Sequence, residues 1–391
     1  MYFEFTESQK AIQKAAREFA EKEFKPEYGR KCDQEYKWPE DLHKKAAQLG
    51  FIGVHFPEKY CGQGLGILES CIVIEEFSRV DSTLANITWA IEGADIIVNF
   101  GNEEQKQKYI PRICKGEAIS TLALTEPAHG SDVGVTGLNT VAKKDGDYWV
   151  INGAKTFISM GSIADYLVTG CLTNPDAKPP YRGVSAIIVE KGTFGLEVRD
   201  LHPKMGQRSI PSTELSFSDV RVPLSNLVGE ENRGFYYIMD YIIVERLHAA
   251  AYCIGVAQGA LERVLKYSTQ RTQFGEPIAR FQITQYKIAD MTARLEAARL
   301  LVYKAAWLYD SRKGEGGLIR RSASMAKNLA VETAKYVIDE AIQIYGGYGY
   351  VDSDLERFYR DVRVYDIAGG TKEMCILTIA GELYRDIGFR I

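Results

Sequence analysis

The chain has 391 residues, a formal net charge of −4 and a hydrophobic content of 46%. This length allows two or three packed domains, and the composition is typical of a soluble globular protein. The basic residues are scattered without a lysine-rich run, which argues against a nucleic-acid-binding surface. No stretch of 18 apolar residues is free of charge, so a membrane span is not expected.

The seven cysteines show no CxxC pair and no clustering with the five histidines. This usage indicates free thiols in a reducing compartment and supports neither a disulfide framework nor a metal site. The segment that follows Met1 is helix-like, with no visible signal or transit peptide. We therefore expect a cytoplasmic protein that contains no metal.

The spacing of apolar residues divides the chain into three regions. Residues 1–118 are predicted to be helical, with a helix start at Thr6. Residues 119–232 contain short β-branched runs bounded by Gly, Pro, Asn or Asp, which predicts a mostly antiparallel β domain. Residues 233–391 return to long helices. Because helices and strands are segregated along the chain, the predicted fold class is α+β, mostly α.

One long apolar helix, predicted from about Gly234 to Tyr267, contains Glu245 and Arg246 side by side. Successive helical residues point about 100° apart, so the two charged groups are not expected to pair along one face. Glu245 shares its stripe with apolar and aromatic residues such as Tyr241, and such neighbours raise the pKa of a carboxylate. A raised pKa suits a general base near neutrality; the alternative is a structural ion pair with a distant partner.

Two further acidic residues, Glu92 and Asp95, lie in the largely apolar stretch 84–100, which is predicted to be a single helix. Acidic side chains on such a helix are more often solvated. The alternative is that one of them lines a pocket.

Two loops are candidates for ligand binding. The loop 125–132 can present N–H groups and hydroxyls to a polar ligand edge or a phosphate, although its composition is also typical of a turn without a ligand. The pair Gly369 and Gly370 comes just before a helix, where free N–H groups can bind an anion or a carbonyl oxygen. The glycine-rich segment 343–350 lacks the preceding strand of a dinucleotide-binding fingerprint.

Together these segments resemble those of the acyl-CoA dehydrogenases, flavoproteins that oxidise acyl-CoA thioesters to 2-enoyl-CoA. The resemblance covers essentially the whole chain and rests on motifs in the same order and spacing: LTEPAHGSD, INGAKTFIS, MGQRS, ENRGF, QRTQFG, QIYGGYGY and RDVRVYDIAGGT. It implies an N-terminal helical domain, a middle antiparallel β domain and a C-terminal four-helix bundle. It also implies FAD as cofactor, a homotetramer built as a dimer of dimers, and electron transfer to electron-transferring flavoprotein.

Carried over residue by residue, the resemblance implies three groups of site residues. The flavin ring and phosphate would be contacted by Leu122, Leu124, Thr125, Ser131, Phe157 and Ser159. The remaining FAD contacts, in part from a neighbouring subunit, would be Arg271, Phe274, Gln282, Gln343, Gly347, Thr371 and Glu373. The acyl-CoA would be contacted by Ser131, Glu92, Asp95, Tyr241, Arg246 and Gly370.

The chain departs from the family pattern at the catalytic base. Many members have Glu-Gly-Thr where this chain has Gly369-Gly370-Thr371, so that glutamate is absent. A subset, which includes isovaleryl-CoA and long-chain acyl-CoA dehydrogenases, carries its base in a Glu-Arg pair on the central helix, and Glu245 lies at that place. The resemblance therefore implies that Glu245 removes the α-proton while the Gly369 N–H and a flavin ribityl hydroxyl polarise the thioester carbonyl.

The sequence defines the acyl group less closely. A short, branched or alicyclic group is favoured by bulky side chains near the predicted cavity: Trp89, Tyr237, Tyr241, Tyr252 and Tyr365. Two enzymatic alternatives stay open: a cyclohexane- or cyclohexene-carboxyl type of enzyme that uses Glu92 or Asp95 as an additional acid/base, and an acyl-CoA reductase or oxidase on the same scaffold. A non-enzymatic, nucleic-acid-binding relative is disfavoured by the net charge of −4.

Overall fold

The computed structural model describes residues 4–311, 314–351 and 353–389. Its first part contains six helices: α1 (Glu7–Glu23), α2 (Pro26–Glu35), α3 (Glu40–Gln48), α4 (Ile67–Val80), α5 (Ala94–Phe100) and α6 (Glu103–Cys114). The helix start predicted at Thr6 is confirmed. The Thr6 hydroxyl accepts the Gln9 N–H, and the Gln9 side chain accepts the Thr6 N–H, so each satisfies one donor that the helix end leaves free.

The prediction of one helix over 84–100 is wrong. A 3₁₀ helix, Leu84–Ala90, is followed by a break and then by α5. Gly93 causes the break with a φ of +77°, a left-handed conformation that favours glycine. A Cβ at this position would lie 2.9 Å from the Thr121 carbonyl oxygen, so the backbone passes close to the β domain here.

The middle part is a sheet of eight strands: β1 (Ser120–Ala123), β2 (Val141–Asp145), β3 (Tyr148–Ser159), β4 (Tyr166–Leu172), β5 (Val184–Glu190), β6 (Leu196–Asp200), β7 (Ser212–Pro223) and β8 (Leu227–Val228). Its strand order is β6-β7-β3-β2-β4-β5-β8, with β1 beside β4. Only β1 with β4 and β2 with β4 pair in parallel, which confirms the mostly antiparallel expectation for the described residues.

The third part begins with α7 (Gly234–Gln270), the helix predicted from Gly234 to Tyr267. It continues with the short hairpin β9 (Thr272–Gln273) and β10 (Glu276–Pro277), then α8 (Gln282–Ser311), α9 (Gly316–Tyr345), α10 (Gly347–Tyr350), α11 (Asp354–Val362) and α12 (Lys372–Asp386). Helix α7 packs against α4, α8 and α9, and α12 packs against α9. The central helix is therefore enclosed on most faces, and the predicted α+β class is confirmed.

The helix-to-sheet transitions fall between α6 and β1 and between β8 and α7. The domain boundaries at 118/119 and 232/233 stay predictions. None of the helices in the described ranges has both the length and the apolarity that a bilayer crossing requires.

Candidate active site

Glu245 lies about one third of the way along α7, where it faces the loop that leads into α12. A Cβ added to Gly369 in that loop would lie 3.3 Å from Glu245 Oε1 and 3.5 Å from its Cδ. The carboxylate of Glu245 therefore occupies the space into which a side chain at position 369 would point. The structure thus brings the two candidate positions of the base, 124 residues apart in the chain, to one point.

Burial on α7 raises the pKa of Glu245, while the positive charges of Lys327 and Arg246 oppose this rise. The direction agrees with the expectation from its apolar neighbours. In the described part of the chain no donor is hydrogen-bonded to this carboxylate, so its oxygens are available to a substrate proton.

Two cations hold the backbone of the glycine loop. The Lys327 ammonium donates to the carbonyls of Ala368 and Gly370, the latter at 2.5 Å. Arg246 Nε donates to the Gly369 carbonyl at 3.0 Å, and its Nη1 donates to Ser324 Oγ at 3.0 Å. Arg246 is thus bound to the loop and not to Glu245, as the 100° offset indicated; its contact with CoA stays a prediction.

Conformation and capping also fix this loop. Gly369 and Gly370 have φ values of +67° and +84°, which favour glycine, and a Cβ on Gly370 would lie 2.8 Å from Arg246 Nη2. Thr371 then caps α12, because its hydroxyl accepts the Met374 N–H at 3.2 Å. The predicted FAD contact Glu373 lies exposed in the first turn of this helix.

The side chains of Glu92 and Asp95 are at least partly removed from solvent, although acidic residues on such a stretch are more often solvated. Glu92 is half-buried between the 3₁₀ helix and α5. Burial and the nearby negative charge of Glu245 raise its pKa to about 8, against weak donation from the Thr121 hydroxyl at 3.5 Å. Burial, the charge of Glu92 and that of Glu245 also hold the pKa of Tyr241 well above its usual range. Glu92, Tyr241 and Glu245 therefore form one acidic group, in which Tyr241 is buried and both carboxylates are half-buried.

Asp95 is only 3% exposed, and its Oδ1 is hydrogen-bonded to His55 Nε2 at 2.7 Å. The His55 ring also contacts the ring of His248, which lies one turn after Glu245 on α7, and His248 bonds Ser70 at 3.0 Å. No sequence signal links His55 to Asp95, because the two lie in separate loops and helices. This polar cluster lies close to the acidic group, because the negative charge of Asp95 also raises the pKa of Tyr241.

Aromatic rings enclose the neighbouring space. Trp89 stacks on Tyr365 with ring centroids 5.8 Å apart, and Tyr365 contacts Tyr252 at 5.1 Å. The Tyr252 hydroxyl donates to the Ser82 carbonyl at 2.8 Å, which fixes that ring. Tyr237, in contrast, stacks on Phe100 at 4.1 Å.

Strands β1 and β3 bring together the residues predicted to face a flavin ring. Leu122, Leu124, Thr125 and Ser159 are half-buried, and the Thr121 hydroxyl bonds the Ser159 carbonyl at 2.6 Å, which ties the two strands together. The Phe157 side chain is 72% exposed, with a φ of +57° at a bulge between Lys155 and Ile158. A β-bulge turns a side chain out of its regular position. Most of the Phe157 ring is thus open to solvent.

A buried ion pair supports the loop after β1. Lys155 Nζ donates to Glu126 Oε1 and to the Leu124 carbonyl, both at 2.9 Å. Glu126 also accepts the backbone N–H groups of Asn139 and Thr140. Ser131, later in the same loop, is exposed and therefore accessible to solvent or to a ligand.

The remaining predicted FAD residues lie at the far end of the helical part. The Arg271 guanidinium lies 5.8 Å from the ring of Tyr348, next to Gly347. Phe274 is 95% exposed and contacts Phe281, next to Gln282. The exposed Gln343 lies in the last turn of α9, three residues before the glycine break. Apart from the half-buried Arg271, these residues are exposed, and their contacts with FAD stay a prediction.

Family models match three consecutive parts of the chain. The acyl-CoA dehydrogenase N-terminal domain matches residues 6–117, the middle domain residues 121–220 and the C-terminal domain residues 232–384. The chain therefore belongs to the acyl-CoA dehydrogenase family and is a flavin-dependent oxidoreductase.

Individual relatives differ in the acyl groups that their names state. The chain is 40% identical to a subunit of the caffeyl-CoA reductase–Etf complex of Acetobacterium woodii, over 97% of this chain and 99% of the relative. It is 38% identical to cyclohex-1-ene-1-carbonyl-CoA dehydrogenase of Syntrophus aciditrophicus, over 95% and 88%. It is similar to the solved structure of butyryl-CoA dehydrogenase from Megasphaera elsdenii, with a TM-score of 0.91, 36% identity and coverage of 98% and 100%.

Proposed function

We propose that this protein catalyses the FAD-dependent α,β-dehydrogenation of an acyl-CoA thioester to the 2-enoyl-CoA, with Glu245 as the base. The observation that carries the proposal is the position of the Glu245 carboxylate, 3.3 Å from the point where a Gly369 Cβ would be. A half-buried carboxylate with a raised pKa, to which no donor of the described residues is hydrogen-bonded, is suited to take a proton from carbon.

The residues of the β domain fit a bound flavin. The exposed Phe157 ring and the half-buried Leu122 and Leu124 offer an apolar and aromatic surface for a planar ring system. Ser131 and Thr125 add hydroxyl groups, and Arg271 and Phe274 offer a cation and an aromatic ring for the adenine dinucleotide part. Bound FAD would supply the acceptor for the hydride that leaves the β-carbon.

The residues of the helical part would act on the thioester. Glu245 would take the α-proton as the carbon–hydrogen bond breaks. The Gly369 N–H would donate to the thioester oxygen, where negative charge develops. Enclosure of the site by Trp89, Tyr252 and Tyr365 would exclude water and keep the base strong. The same rings favour a short, branched or alicyclic acyl group.

A second candidate function is supported by Glu92. A carboxyl group with a pKa of about 8, beside the proposed base, can be protonated or ionised near neutral pH. This is the property required of an additional acid/base, as proposed for an alicyclic acyl-CoA dehydrogenase, and one relative acts on cyclohex-1-ene-1-carbonyl-CoA by its name. Asp95 is the weaker candidate, because its Oδ1 is bonded to His55.

The direction of the reaction and the identity of the electron acceptor are also part of the proposal. We expect oxidation of the acyl-CoA, with electron-transferring flavoprotein as the acceptor, in a cytoplasmic homotetramer. The relative from the caffeyl-CoA reductase–Etf complex supports the partner and also favours reduction as the alternative direction.

The experiment is an anaerobic titration of the flavin-loaded enzyme, followed by flavin absorbance. Straight, branched, alicyclic and dicarboxylic acyl-CoAs are added separately to the wild type, to Glu245→Gln and to Glu92→Gln. We expect one acyl class to bleach the flavin of the wild type and none to bleach that of Glu245→Gln. Bleaching of Glu92→Gln by straight-chain but not by alicyclic substrates would support the second function.

Equal bleaching of wild type and Glu245→Gln would remove Glu245 as the base. If no acyl-CoA bleaches the wild type, the reverse reaction is measured with the chemically reduced enzyme and the matching 2-enoyl-CoAs. Reoxidation there would establish the reductase alternative, and its absence would refute acyl-CoA redox chemistry.

A further inference from the structure

Lys327 on α9 is a lysine whose side chain is 0% exposed and whose hydrogen bonds go to backbone carbonyls instead of a carboxylate. Lys155, equally buried, has Glu126 as its partner at 2.9 Å. A buried ammonium costs several kcal/mol when it is not fully paired. Connecting a helix to a loop through Lys327 therefore costs desolvation free energy, and this cost indicates a further role for the residue.

The bonds of Lys327 determine where the amide groups of the glycine loop point. A trans peptide unit is planar, and its C=O and the N–H of the next residue point in opposite directions. Because the Ala368 carbonyl points to Lys327, the Gly369 N–H points away from it. Within the described residues this N–H has no hydrogen-bond acceptor, although Gly369 is half-buried.

Arg246 completes the arrangement from the other side. It holds the Gly369 carbonyl at 3.0 Å, between the two carbonyls that Lys327 holds. Three successive carbonyls are thus fixed by two cations. The point where a Gly369 Cβ would be lies 3.7 Å from Lys327 Nζ and 3.3 Å from Glu245 Oε1, so Lys327, the loop and the proposed base share one small volume.

We propose that Lys327 is a positioning residue that holds the Ala368 and Gly370 carbonyls so that the Gly369 N–H is aimed at the thioester oxygen. This inference rests on the proposed function. Its ammonium also polarises the Ala368–Gly369 peptide from the carbonyl side, which strengthens the Gly369 N–H as a donor to that oxygen. A purely structural lysine would affect the stability of the fold but not the polarisation of a bound thioester.

The test uses the flavin-loaded enzyme and acetoacetyl-CoA as a probe, because ionisation of this bound β-ketothioester to its enolate depends on donors to the thioester oxygen. The variants are Lys327→Met, which removes charge and donors, and Lys327→Gln, which keeps one neutral donor. Lys335→Met is the matched control: Lys335 lies on the same helix and pairs with Asp366 in the segment just before the loop. The pH midpoint of enolate formation, kcat, KM and the melting temperature are measured for each.

We expect Lys327→Met to raise the midpoint by about 1–2 pH units and to lower kcat by about 10–100-fold, with KM changed less than about threefold. This loss is smaller than the roughly 100–1,000-fold for removal of an oxyanion donor, because the Gly369 N–H is displaced and not removed. Lys327→Gln should fall between this variant and the wild type, so it decides the question if Lys327→Met does not fold. Lys335→Met should keep the wild-type midpoint even if it melts earlier. A midpoint and kcat of Lys327→Gln equal to those of the wild type would overturn the inference. Failure of the wild type itself to react with any acyl-CoA would instead overturn the proposed function.

Discussion

Replacement of Glu92 by glutamine tests whether this carboxyl group is kept protonated in the folded protein. Its pKa is raised from 4.5 to about 8 by burial and by Glu245. Between these two pH values the native state holds a proton that the unfolded chain has lost. The free energy of unfolding therefore decreases as pH rises through this interval and levels off above about 8.

The size of the effect follows from the shift. Each pH unit between the unfolded and folded pKa corresponds to about 1.4 kcal/mol, so the interval from pH 5 to 8 corresponds to about 4 kcal/mol. Glutamine is neutral at every pH and lacks this dependence. We therefore expect the stability of Glu92→Gln relative to the wild type to increase by about 1.4 kcal/mol per pH unit up to about pH 8.

The assay is urea unfolding of the flavin-loaded wild type and variant at pH 5, 6, 7 and 8, with thermal melting as a second probe. Glu104→Gln is the control, because Glu104 is an exposed glutamate on α6. The control should follow the wild type across the series. Parallel curves for Glu92→Gln and the wild type would show that Glu92 is ionised in the folded protein and would refute the raised pKa of its carboxyl group.

Two more substitutions test the loop and the flavin surface. Gly369→Ala should cost about 1–2 kcal/mol of stability, because its φ is +67°, and should lower kcat by up to about 100-fold, because the new Cβ displaces Glu245. The control is Gly146→Ala, at φ +57° in an open turn, which should show the same backbone strain but keep the wild-type kcat. Equal losses of kcat in the two variants would refute the contact between position 369 and Glu245. Phe157→Ala should weaken FAD binding, measured by flavin fluorescence, by about fivefold, because about 1 kcal/mol of ring stacking is lost. Phe194→Ala is the control: Phe194 is 93% exposed in the same domain, and its loss should not change FAD affinity. Equal FAD affinities of the two variants would place the flavin elsewhere.

Local sequence signals were sufficient for most of the fold. The Thr6–Gln9 capping pair determines the start of α1, and the unbroken apolar sequence of α7 determines a helix enclosed on most faces. Glu245 could be singled out as the candidate base because a carboxylate in such a helix is rare, and because it lies where the resemblance implies a base in a Glu-Arg pair; its role stays a prediction. These signals come from neighbours in the chain, which a sequence displays directly.

The surroundings of the base could not be predicted in the same way. Burial of Glu92 depends on a helix break at Gly93, whose left-handed backbone passes close to the Thr121 carbonyl. The His55–Asp95 bond joins residues 40 positions apart. The sequence indicates the role of Lys327 only weakly, through a lysine that shares an apolar helix face with Ala323 and Ala330. Its hydrogen-bond acceptors lie in a loop that only tertiary packing brings near.

Lys155 and Lys327 are both buried and both donate to a backbone carbonyl, but the consequences of this contact differ. Lys155 holds the Leu124 carbonyl, which turns the Thr125 N–H away toward the proposed flavin surface, just as Lys327 holds the Ala368 carbonyl and turns the Gly369 N–H. The difference lies in the counter-charge. Glu126 neutralises Lys155 at 2.9 Å, so that pair orients an amide without adding charge to the site. Lys327 has backbone carbonyls as its bonded partners, so no bonded carboxylate neutralises it, and its positive charge opposes the rise in the pKa of Glu245. Under the proposed function, the same charge would favour the enolate that develops on the thioester.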